Sequence, residues 1–213
     1  EAGRNAYLEG HIPGAHYVHL DEQLSSVITV DSGRHPLPEA QQLIDWMTAR
    51  GLNSDTQVVV YDDMGGAMAA RCWWLLRTLG HDKVAVLDGG FPSWLQRGFA
   101  TSSVPAVLSG NKSTAASTQL KWRNDAVVSA AQVMDNLDSE QFLLVDARNA
   151  ERYRGEQEPI DPVAGHVPKA LNRPLQQNLL ADGRFKPTTE LRQEWAELLG
   201  EWQPAQVVHM CGS

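Results

Sequence analysis

One motif occurs twice in the sequence, and this repetition constrains the fold more than any other feature. Residues 10–15 read GHIPGA, and residues 165–170, which begin 155 positions later, read GHVPKA. A second match follows in the same order, because the strand-like run VVVYD at 58–62 corresponds to VVHMC at 207–211, 149 positions further on. Motifs that recur in one order at nearly one spacing are typical of duplicated units. We therefore predict two homologous domains in tandem.

The segment between the two copies has the composition of a linker. Eight of the eighteen residues from 101 to 118 are serine or threonine, and the segment has neither helical nor strand periodicity. We place the first domain at residues 1–100, the linker at 101–124 and the second domain at 125–213.

Short apolar runs typical of buried strands alternate with segments whose apolar residues recur at helical spacing. The predicted strands are 58–61, 84–87, 142–146 and 207–210. The predicted helices follow Pro38, span about 67–79, surround Trp94, and run from about 189 to the stop residue Gly200. This alternation predicts an α/β fold in which each domain is a mainly parallel sheet with helices on both faces.

The two copies do not contain the same elements. The first continues past Asp62 with a helix, a strand, a Gly-rich turn and another helix, whereas the second stops two residues past Cys211. Conversely, the second has a strand well before Gly165, while only nine residues precede Gly10. We therefore expect the chain to be truncated at both ends.

Charge and apolar run length exclude two classes of partner. The 213 residues include 18 lysines and arginines against 26 aspartates and glutamates, which gives a net charge of −8. This is the wrong sign for a phosphate backbone, so we expect no nucleic acid partner. The longest apolar runs, such as 58–61 and 73–76, are far shorter than the roughly 20 residues that span a bilayer, so we expect no membrane segment.

The chain has only two cysteines, Cys72 and Cys211. Two are too few for a secreted scaffold that depends on disulfides, so we expect a reducing compartment, the cytoplasm. Cys72 lies in the run RCWWLL, which is typical of a core helix, and we predict that it is buried.

Cys211 is placed where a parallel sheet presents reactive groups. It follows a predicted strand and precedes Gly212 and Ser213, at the edge where the chain turns outward and ligands bind. A helix after this turn would stabilise a thiolate through its backbone N–H groups and its dipole. The alternative is a buried structural cysteine. We favour a reactive thiol.

The first copy differs from the second at this position. Asp62 and Asp63 stand where the second copy has Cys211 and Gly212. Two carboxylates would repel an anionic sulfur group. We predict that the first copy is inactive.

Several motifs together resemble the tandem rhodanese-type sulfurtransferases. They are the two GH[IV]P motifs, an aspartate at the first strand end of the second copy, the segment DGGFPSW at 88–94, and CGS at 211–213. A loop that begins Cys-Gly-Ser is similar to the 3-mercaptopyruvate branch of that family. The resemblance implies that a Cys211 thiolate takes a sulfur atom from 3-mercaptopyruvate, releases pyruvate, and passes the sulfur to a thiol or cyanide.

The resemblance also implies which residues bind the donor. Arg152, in the segment RYRG, matches the arginine that binds the substrate, and an arginine fork can hold a carboxylate at two points. Gly212 and Ser213 complete the donor site, whereas Arg148 is expected to be structural. The 3-mercaptopyruvate branch often has a second arginine shortly before the GH[IV]P motif, but residues 158–161 read EPID here.

A relay similar to that of serine proteases is implied for the same branch, and it maps onto Asp21, His35 and Ser213. A histidine oriented by a carboxylate would raise the basicity of a serine hydroxyl that polarises the donor. The alternative is that His35 is an ordinary exposed histidine.

The remaining histidines are not expected to act in catalysis or metal binding. His11 and His166 occupy the same position of the repeat, one of them in the copy predicted to be inactive, so we expect a structural hydrogen-bonding role. His209 and Cys211 have no further ligand nearby in sequence, so we predict no metal. The pair Gly65–Gly66 belongs to no nucleotide-binding pattern, so we predict no cofactor.

Other functions remain open at the level of the sequence. Thiosulfate:cyanide sulfurtransferase activity is the nearest alternative, because thiosulfate and a carboxylate are both anions. A Cys-dependent phosphatase has the same strand–Cys–loop layout, and a non-catalytic binding module is a third possibility. For the favoured function we expect a monomer, a small anionic sulfur donor, and an acceptor such as a small thiol or a thioredoxin-like protein.

Overall fold

The computed structural model describes residues 1–107, 120–123 and 125–212. The chain divides into two compact units, Glu1–Ala126 and Val127–Ser213. Much of the predicted linker, residues 108–119 together with Asn124, lies outside the described residues.

The described ends of the predicted linker belong to the first unit. Leu120 and Trp122 pack against its hydrophobic core. At the other end, Ser102 forms an antiparallel bridge with His11.

The first unit alternates helices and strands. Its elements are α1 (Ala2–Glu9), α2 (Leu20–Gln23), α3 (Ala40–Thr48), β1 (Val58–Val60), α4 (Ala69–Thr78), β2 (Val84–Val86) and α5 (Gly90–Gln96). β1 and β2 pair in parallel, with Val58 opposite Val84. The parallel pairing confirms the predicted α/β class.

The core of the first unit lies where α3 and α4 meet the sheet. Leu43 and Met47 of α3 are buried with Leu75 and Leu76 of α4, at the helical spacing that the sequence shows. Cys72 is buried among them, as predicted, and burial raises the pKa of its thiol to about 12. Cys72 is therefore protonated at neutral pH and is a poor nucleophile.

The second unit contains a sheet of three parallel strands. Its elements are α6 (Ala130–Ser139), β3 (Leu143–Asp146), α7 (Ala150–Tyr153), β4 (Leu171–Asn172), α8 (Thr188–Leu199) and β5 (Val207–Met210), with 3-10 turns at Leu175–Asn178 and Pro204–Gln206. The strand order is β4-β3-β5. The central strand β3 is buried along its whole length. α8 ends at Gly200, where φ is +59°, as its sequence predicted.

The repeated GH[IV]P motif has the same local structure in both units. The Nδ1 of His11 lies 2.6 Å from the carbonyl oxygen of Tyr7, and that of His166 lies 2.7 Å from the carbonyl oxygen of Tyr153. In both units the two rings stack, with centroids 3.8 Å and 3.7 Å apart. These contacts support a structural role for both histidines.

The connection between tyrosine and histidine differs between the copies. It spans four positions in the first unit and thirteen in the second. The longer segment of the second unit contains residues 156–164, and two of its carboxylates bind Arg152.

None of the helices in the described part of the chain is long and apolar enough to cross a membrane.

Candidate active site

Cys211 lies at the carboxyl edge of the second sheet. β5 pairs in parallel with β3, so that Met210 is opposite Asp146, and the backbone N–H of Ala147 donates to the carbonyl of Met210 at 2.9 Å. Cys211 follows Met210 directly and is exposed. The residues that follow β3 and β5 therefore meet at the edge where parallel sheets bind ligands.

A buried ion pair organises the turn after β3. The Asp146 side chain is fully buried, and its carboxylate accepts hydrogen bonds from the Arg148 backbone N–H at 2.9 Å and from Arg148 Nη2 at 2.7 Å. Arg148 Nη2 also donates to the carbonyl of Gly165 at 2.7 Å. The hydrogen bonds to Asp146 raise the pKa of Arg148 against the opposing effect of burial. Arg148 thus links the strand end to the GH[IV]P motif, which fits the structural role expected for it.

The guanidinium of Arg152 lies against the backbone of Gly212. A Cβ atom at residue 212 would be 2.6 Å from Nη1 of Arg152 and 3.1 Å from Cδ of Arg148. Any larger residue at 212 would push the guanidinium away from the cysteine loop. The structure therefore brings together Arg152, Cys211 and Gly212, three of the residues proposed from the sequence.

Two carboxylates hold the other atoms of the Arg152 guanidinium. Glu158 accepts hydrogen bonds from Nε at 3.1 and 3.2 Å and from Nη2 at 2.8 Å, and Asp161 accepts from Nη2 at 2.7 Å. Glu158 also accepts from the backbone N–H groups of Ile160 and Asp161. Its bond to Arg152, followed by these backbone bonds, lowers the pKa of Glu158 to about 2. Glu158 is therefore ionised at neutral pH.

The two carboxylates occupy part of the Arg152 guanidinium. An arginine has five N–H donors, and Glu158 and Asp161 occupy the donors of Nε and Nη2. Nη1, the atom nearest Gly212, donates to none of the described residues. The two N–H groups of Nη1 are therefore the part of the fork that faces the cysteine loop.

The equivalent position of the first unit already holds an anion. Oδ1 of Asp62 accepts from the backbone N–H groups of Met64 and Gly66, and Oδ2 accepts from those of Met68 and Ala69, at 2.7 to 2.9 Å. The last two N–H groups belong to the start of α4, where the helix dipole also favours a negative charge. The loop after β1 is therefore an anion-binding cradle filled by the protein's own carboxylate.

The Gly-rich turn at 88–90 is fitted to the same loop. A Cβ on Gly90 would lie 2.3 Å from the carbonyl oxygen of Asp62, and the φ of Gly90 is +55°. The N–H of Phe91 donates to that carbonyl at 2.8 Å. This close approach explains the glycine in the DGGFPSW motif.

Asp21 and His35 are neighbours in the first unit. His35 Nε2 lies 3.6 Å from Asp21 Oδ1, and the Asp21 side chain is exposed. Burial, with the nearby charge of Arg71, lowers the pKa of His35 against the opposing effect of Asp21. His35 is therefore neutral at pH 7 and able to accept a proton. Ser213, the third member of the predicted relay, lies outside the described residues.

Sequence reasoning missed the residue that holds this loop in place. Arg71 donates from Nη2 to the carbonyl of His35 at 2.8 Å and from Nε to the carbonyl of Leu24 at 2.9 Å. The signal in the sequence was a single arginine at the start of the apolar run RCWWLL, where a cation needs partners.

Within residues 1–107, 120–123 and 125–212, no group of three or more His, Cys, Asp or Glu side chains could hold a metal ion.

Comparisons with known proteins agree with the motifs. The family model for the Rhodanese-like domain matches residues 3–97. A probable 3-mercaptopyruvate sulfurtransferase of Pseudomonas aeruginosa is 42% identical over 99% of this chain and 73% of its own length. The chain belongs to the rhodanese-type sulfurtransferases.

Other sulfurtransferases of this type show how much of a longer protein the chain covers. The thiosulfate sulfurtransferase of Bos taurus is 35% identical over 89% of this chain and 63% of its own length. The structure of a 3-mercaptopyruvate sulfurtransferase from Leishmania major is 27% identical, with a TM-score of 0.82, over 99% of this chain and 57% of that one. The chain thus spans between about three fifths and three quarters of these relatives. The family and fold predictions are confirmed.

Proposed function

We propose that the protein transfers a sulfur atom from 3-mercaptopyruvate to a thiol or cyanide through a persulfide on Cys211, with release of pyruvate. The observation that carries this proposal is the position of Arg152, whose Nη1 lies against Gly212, next to the exposed Cys211 at the carboxyl edge of the sheet. A cation at that place attracts an anionic donor to the nucleophile.

The transfer takes place in two steps. The Cys211 thiolate attacks the sulfur of 3-mercaptopyruvate, a new S–S bond forms, and the C–S bond breaks with its electrons leaving on the pyruvate enolate. The enolate takes a proton at carbon to become pyruvate. The acceptor thiolate then attacks the outer sulfur and restores the Cys211 thiolate. This division of one transfer into two is the usual advantage of nucleophilic catalysis.

Arg152 acts on the donor in this proposal. Nη1 binds the carboxylate of 3-mercaptopyruvate, and the positive charge also stabilises the persulfide anion. Gly212 allows the close approach of the guanidinium because it has no Cβ. Arg148 and Asp146 hold the turn on which α7 and Arg152 are placed.

The relay of Asp21, His35 and Ser213 is a further part of the proposal. The 3.6 Å between His35 Nε2 and Asp21 Oδ1 supports it, and burial lowers the pKa of His35, which keeps the ring neutral at pH 7. The first copy, with Asp62 in its own cradle, takes no sulfur.

We also propose that the protein acts in the cytoplasm as a monomer, since its two cysteines suit a reducing compartment. The acceptor is then a small thiol or a thioredoxin-like protein.

Thiosulfate is the second candidate donor. It is favoured by the 35% identity to the Bos taurus thiosulfate sulfurtransferase. With this donor the thiolate attacks the outer sulfur, and the S–S bond breaks with its electrons leaving on sulfite.

Intact-protein mass spectrometry of the full-length protein tests the proposal. After incubation with either donor, we expect a gain of one sulfur atom that is faster with 3-mercaptopyruvate. Cys211→Ser should abolish the gain, and Cys72→Ala, which removes the buried cysteine, should retain it.

If the protein gains sulfur faster from thiosulfate, thiosulfate is the preferred donor and 3-mercaptopyruvate is the second candidate. No gain from either would contradict the proposal and favour the phosphatase or the binding module.

A further inference from the structure

Arg152 is held by two carboxylates that differ in their surroundings. The Glu158 side chain is 5% exposed and binds the Nε edge of the guanidinium, where backbone N–H groups also hold it. The Asp161 side chain is 30% exposed and binds only Nη2 among the atoms of Arg152. Glu158 thus fixes the arginine, whereas Asp161 adds a negative charge that solvent can reach.

We propose that Asp161 determines the donor preference of the site, because its carboxylate on Arg152 favours a donor with one negative charge over a donor with two. This inference rests on the proposed function. It assigns Asp161 to specificity, while Arg152 and Cys211 bind and react with the donor.

The net charge of the ion-paired groups around Arg152 supports the inference. Among the described residues, ion pairs connect two positive and three negative charges in one group, namely Arg148, Arg152, Asp146, Glu158 and Asp161. The group therefore has a net charge of −1 when all five are ionised. This net charge weakens the attraction of Arg152 for any anion, and it opposes a dianion such as thiosulfate about twice as strongly as a monoanion such as 3-mercaptopyruvate.

Removal of Asp161 would leave the group neutral with Arg152 still held by Glu158. One N–H of Nη2 would also become available beside Nη1, so that the end of the guanidinium could form a two-point contact. Both changes favour a compact dianion.

The acidic residues belong to the part of the motif that the two copies do not share. Glu158 and Asp161 lie in the segment between Tyr153 and His166, which is nine positions longer than the one between Tyr7 and His11. The copy that contains the cysteine is thus the one with the extra acidic segment.

The test compares Asp161→Asn with a matched control in the full-length protein. Asparagine keeps the size of the side chain and an oxygen for Nη2 but removes the charge. Glu156→Gln removes the same charge from the same segment, where Glu156 is exposed and binds Arg154. We expect Asp161→Asn to raise the ratio of kcat/KM for thiosulfate to that for 3-mercaptopyruvate about tenfold, chiefly through KM for thiosulfate.

A second measurement does not depend on sulfur transfer. Iodoacetamide alkylates the exposed Cys211, and an anion bound at Arg152 should slow that alkylation. We expect Asp161→Asn to increase protection by sulfate, a dianion, several-fold more than protection by pyruvate, a monoanion. Glu156→Gln should leave both unchanged.

The outcomes separate the two proposals. If the unaltered protein uses neither donor, the proposed function fails, and the protection assay still decides the role of Asp161. Asp161→Asn could change kcat/KM for both donors equally and protection by both anions equally, or change them no more than Glu156→Gln does. Either result would mean that Asp161 does not determine charge preference.

Discussion

The ends of β1 and β5 are equivalent positions of the repeat, yet they have opposite chemistry. After β1, Asp62 places its carboxylate in a cradle of four backbone N–H groups. After β5, Cys211 is exposed beside the guanidinium of Arg152. One position is filled by the chain's own carboxylate, and the other places a cation beside a cysteine.

In our proposal, the first copy uses this strand end for stability and the second copy uses it for sulfur transfer. In the first copy the carboxylate belongs to the chain itself and accepts hydrogen bonds from the backbone of its own loop. In the second copy the arginine approaches the loop because Gly212 has no side chain. We expect substitutions after β1 to affect stability and substitutions after β5 to affect transfer.

The largest effect should follow from removing the cation of the second copy. Arg152→Ala is expected to lower kcat/KM for 3-mercaptopyruvate about 1000-fold, because a charge-assisted contact to the donor is lost at the reacting centre. Steady-state kinetics of the full-length protein measure this. Arg154→Ala removes an exposed arginine that binds Glu156, and it should have little effect. Equal losses in the two variants would place the donor elsewhere.

The next largest effect should come from adding a side-chain atom between the cysteine loop and Arg152. Gly212→Ala is expected to lower kcat/KM about 100-fold, because the new Cβ displaces the guanidinium. Gly10→Ala is the matched control, since a Cβ there would meet only Phe91, at 4.0 Å, and the backbone is extended. Full activity of Gly212→Ala would show that the close approach of Arg152 is not needed.

A smaller effect, on stability alone, is expected in the first copy. Asp62→Ala leaves four backbone N–H groups without their acceptor and should lower the free energy of unfolding by about 2 kcal/mol. Urea unfolding measures the loss, and the rate of sulfur loading per folded molecule should not change. Asp63→Ala, at the exposed neighbouring residue, should cost less than about 0.5 kcal/mol. A selective loss of sulfur loading in Asp62→Ala would mean that the first copy takes part in transfer.

The smallest effect concerns the pH dependence of the second copy. The pKa of Glu158 lies at about 2 in the folded protein, below its ordinary value of 4.5. The stabilising contribution of its ionised form is therefore fully present above pH 4.5 and is lost as the pH falls from there to about 2.

Urea unfolding midpoints between pH 5 and pH 2 should thus decline less steeply in Glu158→Gln than in the unaltered protein. A change at the exposed Glu201 to glutamine should keep the steeper decline. Identical slopes in Glu158→Gln and the unaltered protein would contradict the assigned pKa.

Sequence patterns predicted the regular elements well. β5 has the bounds expected from the apolar run at 207–210, and α8 ends at Gly200 because glycine adopts positive φ at little cost. The duplication is visible in the sequence as the repeated GH[IV]P motif. Its histidine stacks on a tyrosine in both units. These features depend on local periodicity and on short motifs, which sequence displays directly.

The partners of Arg152 were not predictable in the same way. The segment EPID at 158–161 was noted as a departure from the family pattern, but an irregular segment has no periodicity from which side-chain directions follow. Glu158 and Asp161 reach Arg152 through turns that only the structure shows. Arg71 was missed for a related reason, because its partners are carbonyl groups of a distant loop.

We propose that Cys211, after β5, carries the sulfur and that no other part of the chain does. Peptide mapping by mass spectrometry, after loading the full-length protein with 3-mercaptopyruvate and blocking thiols by alkylation, tests it most directly. We expect the extra sulfur on the peptide that contains Cys211 and none on the peptide that contains Cys72. Extra sulfur on the Cys72 peptide, or loaded protein whose Cys211 peptide has none, would contradict the account.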